Sequence, residues 1–232
     1  VQAHQRTTVR GPTFIRLLAR LTAVGTDAAG PSLPDRLARW LDWNHAIALS
    51  TALDGRPPPP PEGPVFDSRE EEECALARAK LAAAIDGARE LAPSGARGQA
   101  RPAVADYAPF RQRYLTLQRA IQGTTGQLRG RLRDMLSAGP PAMARLAEVD
   151  AVMEMALSPR EQKLLAAVPA VLADHFDRLR QSAHAAASTE GAAAAPDGWL
   201  DTFRNDMRSV LHAELDVRFQ PVEGLLAALR TR

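Results

Sequence analysis

DYAPFRQRYLTLQRAIQGTTGQLRGRLRDMLS, from Asp106 to Ser137, is the stretch that decides the fold. Within it Tyr107, Phe110, Tyr114, Leu117, Ile121, Thr124 and Leu128 alternate spacings of three and four. Residues so spaced share one side of an α-helix, and over several turns they make the a/d seam of a coiled coil. Strict repetition would put Arg131 in the seam. Leu132 and Leu136 take its place, because a helix of 3.6 residues per turn drifts against a seven-residue repeat. Gly139-Pro140-Pro141 closes the element, with glycine just past the end and proline ready for the next first turn. The helix should be roughly 48 Å long. Its seam needs apolar partners.

The downstream chain supplies them. Leu146, Val149, Met153 and Ala156 mark a fifth helix. Ser158-Pro159-Arg160-Glu161 either caps a sixth or bends the fifth. Leu164, Leu165, Val168, Val171, Leu172, Phe176 and Leu179 continue the apolar face, with a kink expected at Pro169. These helices should fold back along the fourth as a long antiparallel hairpin. After an alanine-rich linker over 188–198, a seventh helix begins near Asp197 and carries Trp199, Phe203, Met207, Val210 and Leu211 on one face. Pro221 and Gly224 should interrupt it, and it should pack as a third member of the bundle.

Upstream, the first helix opens at Gly11-Pro12 and sets Phe14, Leu17, Leu18 and Leu21 on one face, with Arg16 and Arg20 opposite. The second opens at Ser32 and Pro34 and carries Leu37, Trp40, Leu41, Ile47, Ala48 and Leu53, closing at Gly55. Pro57 to Pro61 then force polyproline II. A third helix starts at Asp67, with Glu70 completing a capping box. It lines Cys74, Ala77, Leu81, Ala84, Ile85, Ala88 and Leu91 on one side. The expected organisation is all-α with no β-sheet: an N-terminal helical pair (1–56), a polyproline linker (57–66), a connecting helix (67–91), a linker (92–105), and the long hairpin with its C-terminal helix (106–232).

Composition agrees with long helices in thin layers. The 232 residues are 45% hydrophobic but only 5% aromatic, and alanine favours helix while burying little area. The formal net charge is +2 with 29 basic residues, of which only Lys80 and Lys163 are lysine. That small excess argues against a dedicated phosphate-backbone binder. The N-terminus VQAHQRTTVRGP has no apolar core of a signal peptide, and no run of 18 apolar residues occurs. The expected compartment is the cytoplasm.

Chemistry-bearing motifs are few. Cys74 is the only cysteine. It reads as a small buried hydrophobe, and four adjacent glutamates oppose thiol activation. None of the five histidines has zinc-ligand spacing. Asp174-His175-Phe176-Asp177 reads as a solvated helix face, and Met143, Met153 and Met155 as core filler. No GxSxG, GxxxxGK[ST] or GxGxxG occurs. Neither catalytic residues nor a metal or cofactor site is expected.

Two features remain. Trp43 departs from the apolar stripe of the second helix and is either covered by a neighbouring helix or an anchor for a partner. On the fourth helix, Gly123, Gly126 and Gly130 make a stripe opposite the seam, bordered by Arg129 and Arg133. Between Asp106 and Gly139 there are six arginines against two aspartates. Three interior glycines cost roughly 2–3 kcal/mol relative to alanine. A helix or nucleic-acid backbone approaching closely would offset this; otherwise the stretch is tolerated and its arginines are solvated.

GPTFIRLLARLT (11–22), LARWLDWNHAIALSTALDG (37–55), the Asp106 stretch and LAEVDAVMEMAL (146–157) together resemble a proteobacterial domain-of-unknown-function family of Burkholderia and Xanthomonas type. The resemblance implies no catalytic residues. It implies a cytoplasmic accessory to an envelope assembly. The leading expectation is a non-enzymatic helical interaction or adaptor protein, with a protein partner or self-association. The alternative is nucleic-acid binding through the arginine-bearing fourth helix. A third reading is peripheral membrane attachment through the amphipathic first helix.

Overall fold

The helices of the computed structural model are α1 (Thr13–Thr22), α2 (Trp43–Asp54), α3 (Ser68–Asp86), α4 (Ala108–Ser137), α5 (Pro141–Leu165), α6 (Val168–Ser188) and α7 (Gly198–Arg230). A single 3-10 turn, Arg89–Leu91, follows α3. The structure describes residues 13–22, 40–55, 66–92, 106–188 and 198–231. They are all-α, with no strand among them. The polyproline run and most of the two expected linkers, at 92–105 and 188–198, lie outside the described residues.

α4 is the central element. It buries Phe110, Tyr114, Leu117, Ile121, Leu128, Leu132, Met135 and Leu136. The polar member of the seam is Thr125 rather than Thr124, so the drift of the repeat begins a heptad earlier than expected. Thr125 is satisfied locally, its hydroxyl donating to the Ile121 carbonyl at 2.9 Å. The main partner of α4 is α7, more than the helices that follow it directly. α7 answers with Phe203, Met207, Val210, Leu211, Leu215, Phe219 and Val222. At the N-terminal end of α4, Tyr107 and Phe110 meet Phe176 and Phe203 in tilted and edge-on ring contacts of 5.2–6.1 Å, the geometry aromatic quadrupoles favour.

The hairpin turn runs Ala138-Gly139-Pro140, and α5 returns along α4. Several details differ from expectation. The α5 helix runs through Pro159 without a break. The chain leaves helix at Ala166–Ala167, and Pro169 sits in the first turn of α6, where its missing N–H costs nothing. α7 likewise continues through Pro221 to Arg230. Flanking packing holds these helices where local propensity alone would end them. On α5 the buried residues include Ala144, Ala147, Val152 and Ala156, while Leu146, Met155 and Leu164 are exposed. Alanines let α5 approach closely, so the bulkier neighbours rotate outward.

α3 begins at the capping box: Asp67 accepts from the Arg69 amide at 2.7 Å and Glu70 accepts from the Asp67 amide at 3.1 Å. It packs on α7 and α4 with Cys74, Leu81 and Ile85 buried. The N-terminal helices are placed apart. α1 lies on α6 and α7, with Phe14 and Leu21 in the main core. α2 lies on α5. The expected start of the second helix at Ser32 and Pro34 lies outside the described residues; within them helix is interrupted at Leu41–Asp42, and Asp42 caps α2 by accepting from the His45 amide at 2.9 Å. Among the described residues, no helix is long and apolar enough to cross a membrane.

Candidate functional site

Gly123 and Gly126 are exposed and Gly130 half-buried. A Cβ built on any of the three meets nothing within 4 Å. No internal contact therefore requires glycine at these positions. The bordering arginines are not solvated. Arg129 donates from Nε and Nη2 to the Asp150 carboxylate at 2.7–3.2 Å. Arg133 donates to Glu154 at 2.5 Å. Two arginines one turn apart on α4 thus face two carboxylates one turn apart on α5. Burial works against the Arg129 cation, yet the hydrogen bonds and charge of Asp150 outweigh it and hold its pKa above the ordinary value.

The other arginines of α4 divide in two. Arg113 makes a two-pronged bond to Glu90 at 2.7 and 3.0 Å, which holds the Glu90 carboxyl below its usual range. Arg131 meets Glu73. Arg111 and Arg119 are exposed. The local basic excess is thus largely answered by carboxylates from neighbouring elements.

Beside Gly126 a cavity of about 130 Å³ opens where α4, α5 and α7 cross. Gln122, Thr125, Gly126 and Arg129 line it from α4, Glu154, Ser158 and Glu161 from α5, and Val217, Arg218 and Pro221 from α7. Behind its wall lies a buried polar network that sequence reading missed. Glu214 of α7 is 0% exposed. It accepts from the Tyr114 hydroxyl at 2.5 Å, from Gln118 Nε2 at 3.1 and 3.3 Å, and from Arg218 Nε at 3.0 Å. Gln118 also reaches the Leu165 carbonyl at 3.3 Å, and Arg218 Nη1 donates to Glu161 at 3.1 Å. Burial, reinforced by the Glu214 charge and hydrogen bond, drives the Tyr114 pKa far above the ordinary phenol value. Tyr114 is therefore a fixed donor. A buried charge is tolerated only when paired and hydrogen-bonded, and Glu214 is both. One signal was present in the sequence: Glu214 continues the three-and-four spacing of Phe203, Met207 and Val210, where an apolar residue is due.

Trp43 is uncovered, 78% exposed, and Ile47 one turn on is 50% exposed. The face of α2 turned to α5 is small, with Ala52 its buried residue. Trp40 stacks near Arg160, the guanidinium 5.9 Å from the ring centroid. Since Ser158 lines the cavity, α2 begins at the same end of α5 as that opening.

The remaining candidates resolve as follows. Cys74 is buried, and burial pushes its thiol up, Arg131 opposing and Glu73 and Glu70 adding. His175 is not a solvated side chain: its Nε2 lies 2.8 Å from Asp206, which Arg20 of α1 also meets at 3.1 Å. Met155 is exposed rather than core. Among the described residues, no group of three His, Cys, Asp or Glu side chains is placed to hold a metal ion.

The chain belongs to the family described as a protein of unknown function (DUF3348), whose model matches residues 1–231. No curated protein and no solved structure matches it.

Proposed function

We propose that this protein is a non-enzymatic helical interaction protein, an adaptor or assembly factor, and that α2 carries its partner-binding face. The observation behind the reading is Trp43, left 78% exposed with Ile47 beside it on a helix already seated on α5. Tryptophan is among the side chains most enriched at positions that dominate binding energy, and contiguous exposed apolar surface marks interaction sites. The glycine stripe of α4 contributes a second, smooth surface with room for close approach. In this reading the protein works in the cytoplasm as an accessory to an envelope assembly, a setting that rests on the family resemblance.

The test is crosslinking in the native host and recovery of the intact chain, beside analytical ultracentrifugation of the purified protein. A specific partner or a defined oligomer is expected, lost in Trp43→Ala with helicity unchanged. A protein that stays monomeric and partner-free, or a partner retained in full by Trp43→Ala, overturns the reading.

A further inference from the structure

The seam between α4 and α7 repeats, and a repeating seam does not by itself fix how far one helix is slid along the other. On α4, Tyr107, Tyr114, Ile121 and Leu128 recur every seven residues. On α7, Phe203, Val210 and Val217 recur at the same interval, on the side of the helix that carries Glu214. The two helices run in the same direction, since Phe203 meets Phe110 while Glu214 meets Tyr114 and Gln118. Sliding α7 by one heptad, roughly 10 Å of helix, would again set apolar side chains against apolar side chains. Exchange of one apolar residue for another is tolerated in a core at modest cost.

Two neighbouring ladders of α7 are broken by charge. Met207 and Pro221 flank Glu214 at seven residues, and Leu211 and Leu225 flank Arg218 in the same way. Glu214 is wholly buried, and the Arg218 side chain is only 7% exposed. Their partners come from three helices at one level. Tyr114 and Gln118 of α4 donate to Glu214, Arg218 joins Glu214 to Glu161 of α5, and Gln118 also donates to the Leu165 carbonyl of α5. A slide of one heptad in either direction puts Met207 or Pro221 where the carboxylate now is. The Tyr114 hydroxyl and the Gln118 amide would then be buried facing an apolar neighbour, and buried donors without partners are unfavourable. Ion pairs also join α7 to α3, Arg78 to Asp216 and Glu223 and Arg230 to Glu71. Those pairs are exposed, and exposed pairs contribute little.

From this juxtaposition we infer that the network of Tyr114, Gln118, Glu214 and Arg218 is a register lock, which selects one of several seven-residue slides of α7 along α4. A single polar position in an apolar seam is an established means of fixing register. Buried charge pairs can often be replaced by well-packed apolar residues without loss of stability, so uniqueness of docking is the property such a network serves best. Loss of a protein partner at α2 does not bear on this device.

The experiment measures the distance between spin labels on the full chain by electron–electron double resonance. The labels sit on Arg119→Cys of α4 and Ala227→Cys of α7, both exposed positions, in a Cys74→Ala background. They are offset along the helix axes, so a one-heptad slide changes their separation by several ångströms, up to about 10 Å. With the native network a single distance is expected. The apolar variant carrying Tyr114→Phe, Gln118→Leu, Glu214→Met and Arg218→Met should keep its helicity and show a second, resolved distance. Thr125→Val should keep a single distance, because the Thr125 hydroxyl bonds only within its own helix. One unchanged distance in the apolar variant overturns the inference. So does a loss of helicity there, which makes the network a requirement for folding itself. The same second distance in Thr125→Val overturns it as well, since any loss of polarity in the seam would then suffice.

Discussion

α1 and α2 are both short N-terminal helices, and the protein treats them oppositely. α1 has one apolar face and one polar face. The apolar face, through Phe14 and Leu21, is inside the main core, and the polar face reaches Asp206 through Arg20. Arg178 of α6 donates to the Leu21 carbonyl, satisfying a group left orphaned by the helix end. α2 is apolar on two sides. One side meets α5; the other shows Trp43 and Ile47. A single stripe predicts its own burial, whereas a second stripe states only that something else is required. The same contrast removes support for the membrane reading of α1, whose apolar face is already occupied.

The largest expected effect separates the two helices by stability. Phe14→Ala should cost about 3 kcal/mol in denaturant unfolding, the range for large-to-small changes in a core. Trp43→Ala should stay within about 0.5 kcal/mol, as for exposed positions. Comparable losses for both would break the contrast. A smaller effect concerns how α1 is held. Asp206→Asn weakens the contacts to Arg20 and His175 together and should cost about 1 kcal/mol, read as faster amide exchange over residues 13–22 with α2 unaffected. Uniform acceleration across the molecule would mean that α1 has no separate opening.

The smallest effect is the response of α2 to acid. The hydrogen bond from the His45 backbone amide, helped by further interactions with His45 and opposed by desolvation, holds the Asp42 carboxyl below its usual value. A depressed carboxylate contributes its stabilisation above the ordinary pKa and loses it as pH falls through the depressed one. The His45 amide should lose protection across that acidic window. Protection unchanged below it would remove Asp42 as the functioning cap.

Legibility followed the same divide. Tyr114, Leu117, Ile121 and Leu128 were readable because repetition over four heptads leaves one face to bury. The capping box at Asp67 and the α7 stripe from Phe203 to Leu211 were readable for equally local reasons. On α5 the reading chose Leu146 and Leu164 over Ala144 and Ala147, since an alanine-rich helix offers two apolar faces and packing distance decides between them. Pro221 reads as a break, and Pro159 as either a cap or a bend, because propensity is local and the contacts that override it are not. For the candidate site, the positions of the glycines were legible, but the partners of Arg129 and Arg133 depend on the register of α5. Their spacing matches that of Asp150 and Glu154, four residues in each case, so the pairing was present as a pattern without a register. The network around Glu214 was the least visible. Its partners Tyr114 and Gln118 lie 100 and 96 residues away.

That separation also sets a schedule. Tyr114 emerges from a ribosome well before Glu214, and at about 5–20 residues per second the delay is roughly 5–20 s. During it α4 has its seam formed and its main partner not yet made. α5 and α6 can shield part of the seam, but Tyr114 and Gln118 wait for a carboxylate that does not yet exist. During synthesis the newborn chain is therefore most prone to stray association through α4, and the arrival of α7 ends that interval.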